Sequence, residues 1–181
     1  MYIALSAEGA SWDEAEVGRL GLWLFIMSEI MLFGAFFASY LSARLGNAEC
    51  ALGVSAWPEA GHLPGLALAA LNTVLLLTSS FTMVRAISGA ARGDRTRFRA
   101  NLIATIALGA GFLFVKACEY SLKTSLHGLH VAAGLVWNSV LLWAPRDTPS
   151  AALASKAENA GLYWHFVDVI WVFLFPLFYL V

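Results

Sequence analysis

GLYWHFVDVIWVFLFPLFYLV, residues 161–181, is the stretch that decides how this chain folds. His165 and Asp168 interrupt a run that is otherwise almost wholly apolar and aromatic. As a helix at about 1.5 Å per residue the segment is roughly 30 Å long, the thickness of a bilayer's hydrocarbon core. A carboxylate inside such a core costs at least ~2.5–3.5 kcal/mol on insertion scales. His165 and Asp168 lie three residues apart, on one helical face, and must meet protein, water or a lipid headgroup.

The rest of the 181-residue chain agrees with this reading. It is 60 % hydrophobic and 13 % charged, with a mean hydropathy of +0.71, which leaves too little polar surface for a soluble domain. A net charge of -1 gives no reason to expect nucleic acid or another polyanion as partner. Cys50 and Cys118 show neither CxxC spacing nor a disulfide framework. Residues 1–19 are acidic and lack a basic region followed by an apolar core. They read as a cytoplasmic tail along the membrane surface and not as a secretory signal.

Five stretches are long enough, or nearly so, to cross a bilayer: residues 20–43, 63–84, 100–120, 124–143 and 161–181. The expected fold is therefore all-α, a single integral membrane bundle over residues 1–181 with five transmembrane helices. Residues 44–62, 85–99 and 145–159 carry the Gly, Pro and charge punctuation of loops. Lys116 and Glu119, in the last turns of the third stretch, are spaced to pair or to reach the headgroups. With the N-terminus in the cytoplasm, the inner segments hold eight basic residues and the outer ones three, Arg44, Lys116 and Lys123. The positive-inside rule then sets a cytoplasmic N-terminus and an outer C-terminus. In that orientation Arg92, Arg95, Arg97 and Arg99 face the cytoplasm, where they contact anionic headgroups or only set topology.

Glu29 falls roughly 15 Å into the first helix, near the midplane, and His165 and Asp168 lie in the cytoplasmic half of the last. Asn72 sits at similar depth on the second helix and is a candidate partner for Glu29, as is His165. Lys116, Glu119, His127 and His130 form a second polar cluster at the outer end. His127 with His130, and His165 with Asp168, each place two potential metal ligands on one helical face, as bundle metal sites require. The two pairs are expected at opposite membrane sides, and no Glu-x-x-His motif completes a di-iron site. The alternative is that these groups hydrogen-bond neighbouring helices and set their register. For Glu29 and Asp168 a role touching protons or lipid headgroups stands beside helix locking. Small residues recur at 34/35/38/42, 104/107/111 and 128/132, where they allow close helix approach. Composition and spacing stop at a five-helix membrane bundle with no catalytic machinery.

Five stretches carry a resemblance that goes further: GLWLFIMSEIMLFGAFFASYL (21–41), LNTVLLLTSSFTM (71–83), KACEY (116–120), HGLHVAAGL (127–135) and GLYWHFVDVIWVFLFPLFYL (161–180). In this order they resemble subunit III of haem-copper terminal oxidases, the cytochrome c oxidase family, in its short five-helix form. The YWHFVDVIWVFLF core of the last is very specific, and Ser28-Glu29 in its context nearly so. The resemblance implies a non-catalytic subunit without haem or copper of its own, those groups belonging to partner subunits. It implies packing beside subunit I, with subunit II in the same complex, bound phospholipid in a cleft, and support of proton uptake in a bacterial-type cytoplasmic membrane. Glu29 matches the family's intramembrane glutamate, and His165 and Asp168 the polar pair of its last helix. In the family a loop and further helical turns precede the HisGlyLeuHis motif. Only residues 121–126 intervene here, so either the hairpin is shortened or residues are missing from the sequence. A subunit of a quinol oxidase or nitric oxide reductase system, a membrane metalloenzyme and a small transporter are the alternatives. The last lacks the interrupted helices of repeated halves.

Overall fold

The computed structural model describes residues 14–46, 63–119 and 126–179. They form five helices: α1 (Glu14–Gly46), α2 (Leu63–Ala91), α3 (Arg95–Glu119), α4 (Leu126–Leu142) and α5 (Ser150–Tyr179). Four of them, α1, α2, α3 and α5, are long and apolar enough to cross a membrane. The fourth stretch, expected as a span over 124–143, is a helix of 17 residues. At about 1.5 Å per residue this part is roughly 25 Å long, and residues 124–125 lie outside the described residues.

The long helices outrun their expected ends, because a helix that has left the hydrocarbon stops where its capping chemistry tells it to. The basic run 85–99 was expected as a loop, but the turn is only residues 92–94. Gly93, at φ 71°, ends α2, with Asp94 N–H donating to Gly89 O (2.9 Å) and Gly93 N–H to Ala90 O (3.0 Å). This is a glycine-capped C-terminus. Asp94 then accepts from Arg97 N–H at 2.9 Å and so caps the start of α3. Residues 145–159 shorten likewise, since SAALASKAEN is rich in helix formers and α5 begins at Ser150.

Of the four arginines expected at the headgroups, Arg95 has a different part. Its guanidinium donates to the carbonyls of Pro145 and Thr148, tying the α2–α3 turn to the α4–α5 connection. Arg92 folds back on Ser88, while Arg97 lies 3.7 Å from Asp94. Arg95→Ala should lower stability by about 1–2 kcal/mol. Arg95→Lys should recover only part of it, because an ammonium cannot serve two carbonyls as a fork does. Unfolding midpoints of the purified chains in one detergent would measure both.

The bundle centre is formed by α2, α3, α4 and α5, with α1 packed along α5. Across α2 and α5, Thr73 meets Trp171, Ser79 meets Trp164, and Ile87 lies against Gly161, an antiparallel pairing. Trp164 is fully buried at the middle of this unit, and its Nε1–H donates to Ser79 Oγ at 2.7 Å. Gly109 on α3 and Gly134 on α4 make room for the indole. A Cβ on either would come within 2.7 or 2.8 Å of the ring. The closest backbone approach is at Gly89 on α2, where a Cβ would come within 2.8 Å of Phe98 N on α3, and not at the small residues 34/35/38/42. Nothing lies within 4 Å of where a Cβ on Gly34 would be, and Ala35 and Ala38 are exposed.

Candidate functional site

The polar side chains inside the bundle form three groups, each built across helices. The first joins α1 to the rest. Glu29 Oε2 lies 3.0 Å from His130 Nε2 on α4, an ion-pair distance without good hydrogen-bond angles. Both side chains are nearly occluded, at 15 % and 13 % exposure. Tyr163 of α5 donates its hydroxyl to His130 O at 3.0 Å, and Phe33 lies edge-on to the His130 ring. The sequence reading had paired Glu29 with Asn72 or His165. The correction is rotational: α1 is carried on α5 with Glu29 turned to α4, and its backbone does not pack on α2 among the described residues.

The second group lies at the α2–α5 seam. Ser80 Oγ and His165 Nδ1 are 2.7 Å apart. Asp168, one turn further along α5, neighbours the same hydroxyl but meets no hydrogen-bond geometry, and both its oxygens are buried without a partner. His165 and Asp168 thus have Ser80 of α2 as a common neighbour, the histidine at hydrogen-bond distance and the aspartate buried at 5 % exposure.

The third group lies one turn further along α5, where Thr73, Phe112, Lys116 and His127 converge on Trp171. His127 stacks on Trp171 with centroids 5.7 Å apart and takes Phe112 edge-on. Lys116 Nζ stands over the Trp171 ring at 4.6 Å, a cation–π contact. The Glu119 side chain falls outside the described residues. Trp171 Nε1–H donates to Thr73 Oγ1 at 3.0 Å. Asn72 is fully buried with neither amide atom bonded, so it serves neither Glu29 nor His165. His127 and His130, read as one outer pair, face different neighbours. Among the described residues no three His, Cys, Asp or Glu converge where a metal could sit.

Sequence reasoning passed over Ser79, Ser80, Thr73, Tyr163 and Asn138. Serine and threonine in apolar helices give little signal, since they commonly bond their own helix's carbonyls, as Thr78 does to Val74 O. Asn138, fully buried on α4 with both amide atoms unbonded, did carry a signal, being the one asparagine of its apolar stretch.

Comparison with known proteins now decides the family. The family model described as cytochrome c oxidase subunit III matches residues 11–123 and 121–181. The chain belongs to the cytochrome c oxidase subunit III family. The cytochrome c oxidase subunit 3 of Alkalihalophilus pseudofirmus is 37 % identical, over 89 % of this chain and 85 % of that protein. The quinol oxidase subunit 3 of Bacillus subtilis is 32 % identical, over 92 % and 90 %. The probable cytochrome c oxidase subunit 3 of Mycobacterium bovis is 30 % identical, over 98 % and 95 %. That last alignment runs to 203 positions against a chain of 181 residues, so the relative carries residues with no counterpart here. The two pieces of the family match meet at residues 121–123, between α3 and α4.

Proposed function

We propose that the chain is the third, non-catalytic subunit of a haem-copper terminal oxidase in a bacterial-type cytoplasmic membrane. It stands beside the haem-bearing subunit I, with subunit II in the same complex, and sustains proton uptake during turnover. Family membership over nearly the whole chain carries this reading. The internal geometry supports a supporting role, since the intramembrane groups are turned to neighbouring helices or buried among them. The electron donor is cytochrome c or quinol, because relatives of both names match. Haem and copper belong to the partner subunits. Purification of a tagged chain in mild detergent tests the proposal. Haem absorbance should co-elute with the chain and vanish when partner subunits are stripped. A Soret band kept by the isolated chain would overturn it.

The same proposal includes five crossings with the N-terminus inside. The uneven spread of basic residues supports it, and so does the exposure of Arg92, Arg97 and Arg99 around the α2–α3 turn. Arg92→Cys, in a chain whose own cysteines are replaced by serine, should react with an impermeant thiol reagent in inverted vesicles and not in intact cells. Labelling from the outside would reverse the topology.

Bound phospholipid is part of the proposal too. A cleft of about 800 Å³ opens between the end of α4 and the start of α5, along Trp137, Val140 and Trp143. Lys156 is the one charged residue among those that line it, and Asn159 Oδ1 is buried there without a partner. An acyl chain along α4 with an anionic headgroup at Lys156 suits this division of apolar wall and basic end.

A further inference from the structure

His165 lies at the middle of the long span Ser150–Leu177. Its Nδ1 is engaged by Ser80, while its Nε2 has no partner among the described residues and is not among the buried, occluded atoms. The ring is half-buried. At mid-membrane, a ring nitrogen open to the bundle's outer surface meets acyl chains, which offer it no hydrogen bond, unless protein covers it.

The surroundings show what shape would cover it. α1 touches α5 at Glu158, Tyr163, Phe166 and Phe173, through Arg19, Phe25, Phe33 and Phe37. α2 touches α5 at Trp164, His165 and Trp171. At about 100° per residue Tyr163, Phe166 and Phe173 face away from Trp164 and Trp171, with His165, Val169 and Val172 on the stripe between them and Glu158 at its end. Val169 and Val172 are exposed, as are Leu77 and Phe81 on the α2 side. Among the described residues the backbones of α1 and α2 do not pack on each other, so the stripe is the floor of a groove running along the membrane normal.

We propose that this groove docks a transmembrane helix of a partner subunit, one that presents a hydrogen-bonding side chain to His165 Nε2. The inference rests on the proposed oxidase reading and names the face by which the chain joins the complex. A helix meets both demands at once, an apolar length against Val169, Val172, Leu77 and Phe81 and one polar group at mid-depth. A lipid tail meets only the first. The α4 face differs in kind, with its polar groups at the end of the cleft and not at its middle.

A photo-crosslinking amino acid placed at Leu77, at Val169 and, for comparison, at Val140 on α4 tests this in the assembled complex. Leu77 and Val169 should give adducts with a partner polypeptide, and Val140 should give lipid adducts. Lipid adducts alone at Leu77 and Val169, no adduct at either, or polypeptide adducts from Val140 in their place would overturn the groove assignment. Failure of the chain to travel with any haem-bearing subunit would instead sink the oxidase reading itself. A second measurement isolates the hydrogen bond. His165→Leu should lower retention of the chain in the complex on detergent washing by about three- to tenfold. His165→Gln should keep most of it, and Ser80→Ala, which leaves Nε2 in place, should leave retention near that of the unaltered chain. Equal losses in His165→Leu and Ser80→Ala would mean that the histidine serves only its own bundle.

Discussion

Trp164→Ala is expected to destabilise the bundle by about 3–5 kcal/mol, the largest loss of any single truncation in this chain. The indole is fully buried and touches every helix of the central unit. Its ring fills the space that Gly109 and Gly134 leave on α3 and α4, and its Nε1–H satisfies Ser79 Oγ on α2. Removal leaves a cavity walled on two sides by glycine, where no side chain is at hand to fill it. It also strands a buried hydroxyl, which adds to the loss. In lipid the apolar gain between helices is small, so packing and interhelix hydrogen bonds hold the helices together, and this residue supplies both. Trp164→Phe should retain most of the packing and lose the bond to Ser79, with a correspondingly smaller effect. Equilibrium unfolding of the purified chain in mixed micelles, read by tryptophan-independent circular dichroism, would give both values. A loss under 1 kcal/mol for Trp164→Ala would mean that the four-helix centre is not organised around this ring. Gly134→Val gives an independent check, since its side chain would have to enter the space the indole holds.

The long helices were legible because the membrane leaves so little choice. A lipid core accepts only apolar runs of sufficient length, and four such runs stand out in the hydropathy. Their ends were not legible from that signal, which falls silent at the headgroups. There Gly93 and Asp94 decide, and so does the helix-forming run before Glu158, while charge along 85–99 suggested a loop that the backbone does not make. The first residues of the fourth stretch, 124–125, lie outside the described residues, and nearly all the rest of it is the helix α4. The site divides the same way. Glu29, His165 and Asp168 announce themselves as charges in oil, so their importance could be read directly. Their partners could not, because helix rotation is set by packing between distant segments. Glu29 finds His130 only because Phe33, Phe166 and Tyr163 seat α1 on the α4 side of α5. Ser80 carries no mark in the sequence that separates it from Ser79, yet one bonds His165 and the other Trp164.

Glu29→Ala should weaken the attachment of α1 by about 1–3 kcal/mol, because it leaves His130 Nε2 facing an empty, nearly dry space. α1 has few other holds. Apart from Glu29 and Phe33 at His130, it packs on α5 through aromatic contacts and the exposed Arg19–Glu158 ion pair at 2.8 Å, and an exposed pair of that kind adds little. A double-mutant cycle of Glu29→Ala with His130→Ala measures the coupling, expected at 0.5 kcal/mol or more for groups in contact. Strict additivity would show that the 3.0 Å approach carries no energy. The functional consequence separates support from chemistry. Glu29→Gln keeps the length and a hydrogen-bonding group toward His130, so the assembled complex should consume oxygen normally from its first turnovers. Glu29→Ala should also begin at the normal rate and then decline faster than the unaltered complex, as α1 and its lipid contacts loosen. The quantity to follow is therefore activity against turnover number, not initial rate. If Glu29→Gln, in a fully assembled complex with its haem spectrum intact, abolished oxygen consumption from the first turnover, Glu29 would have to lie on the reaction's own proton path, and a supporting role for this subunit would be untenable.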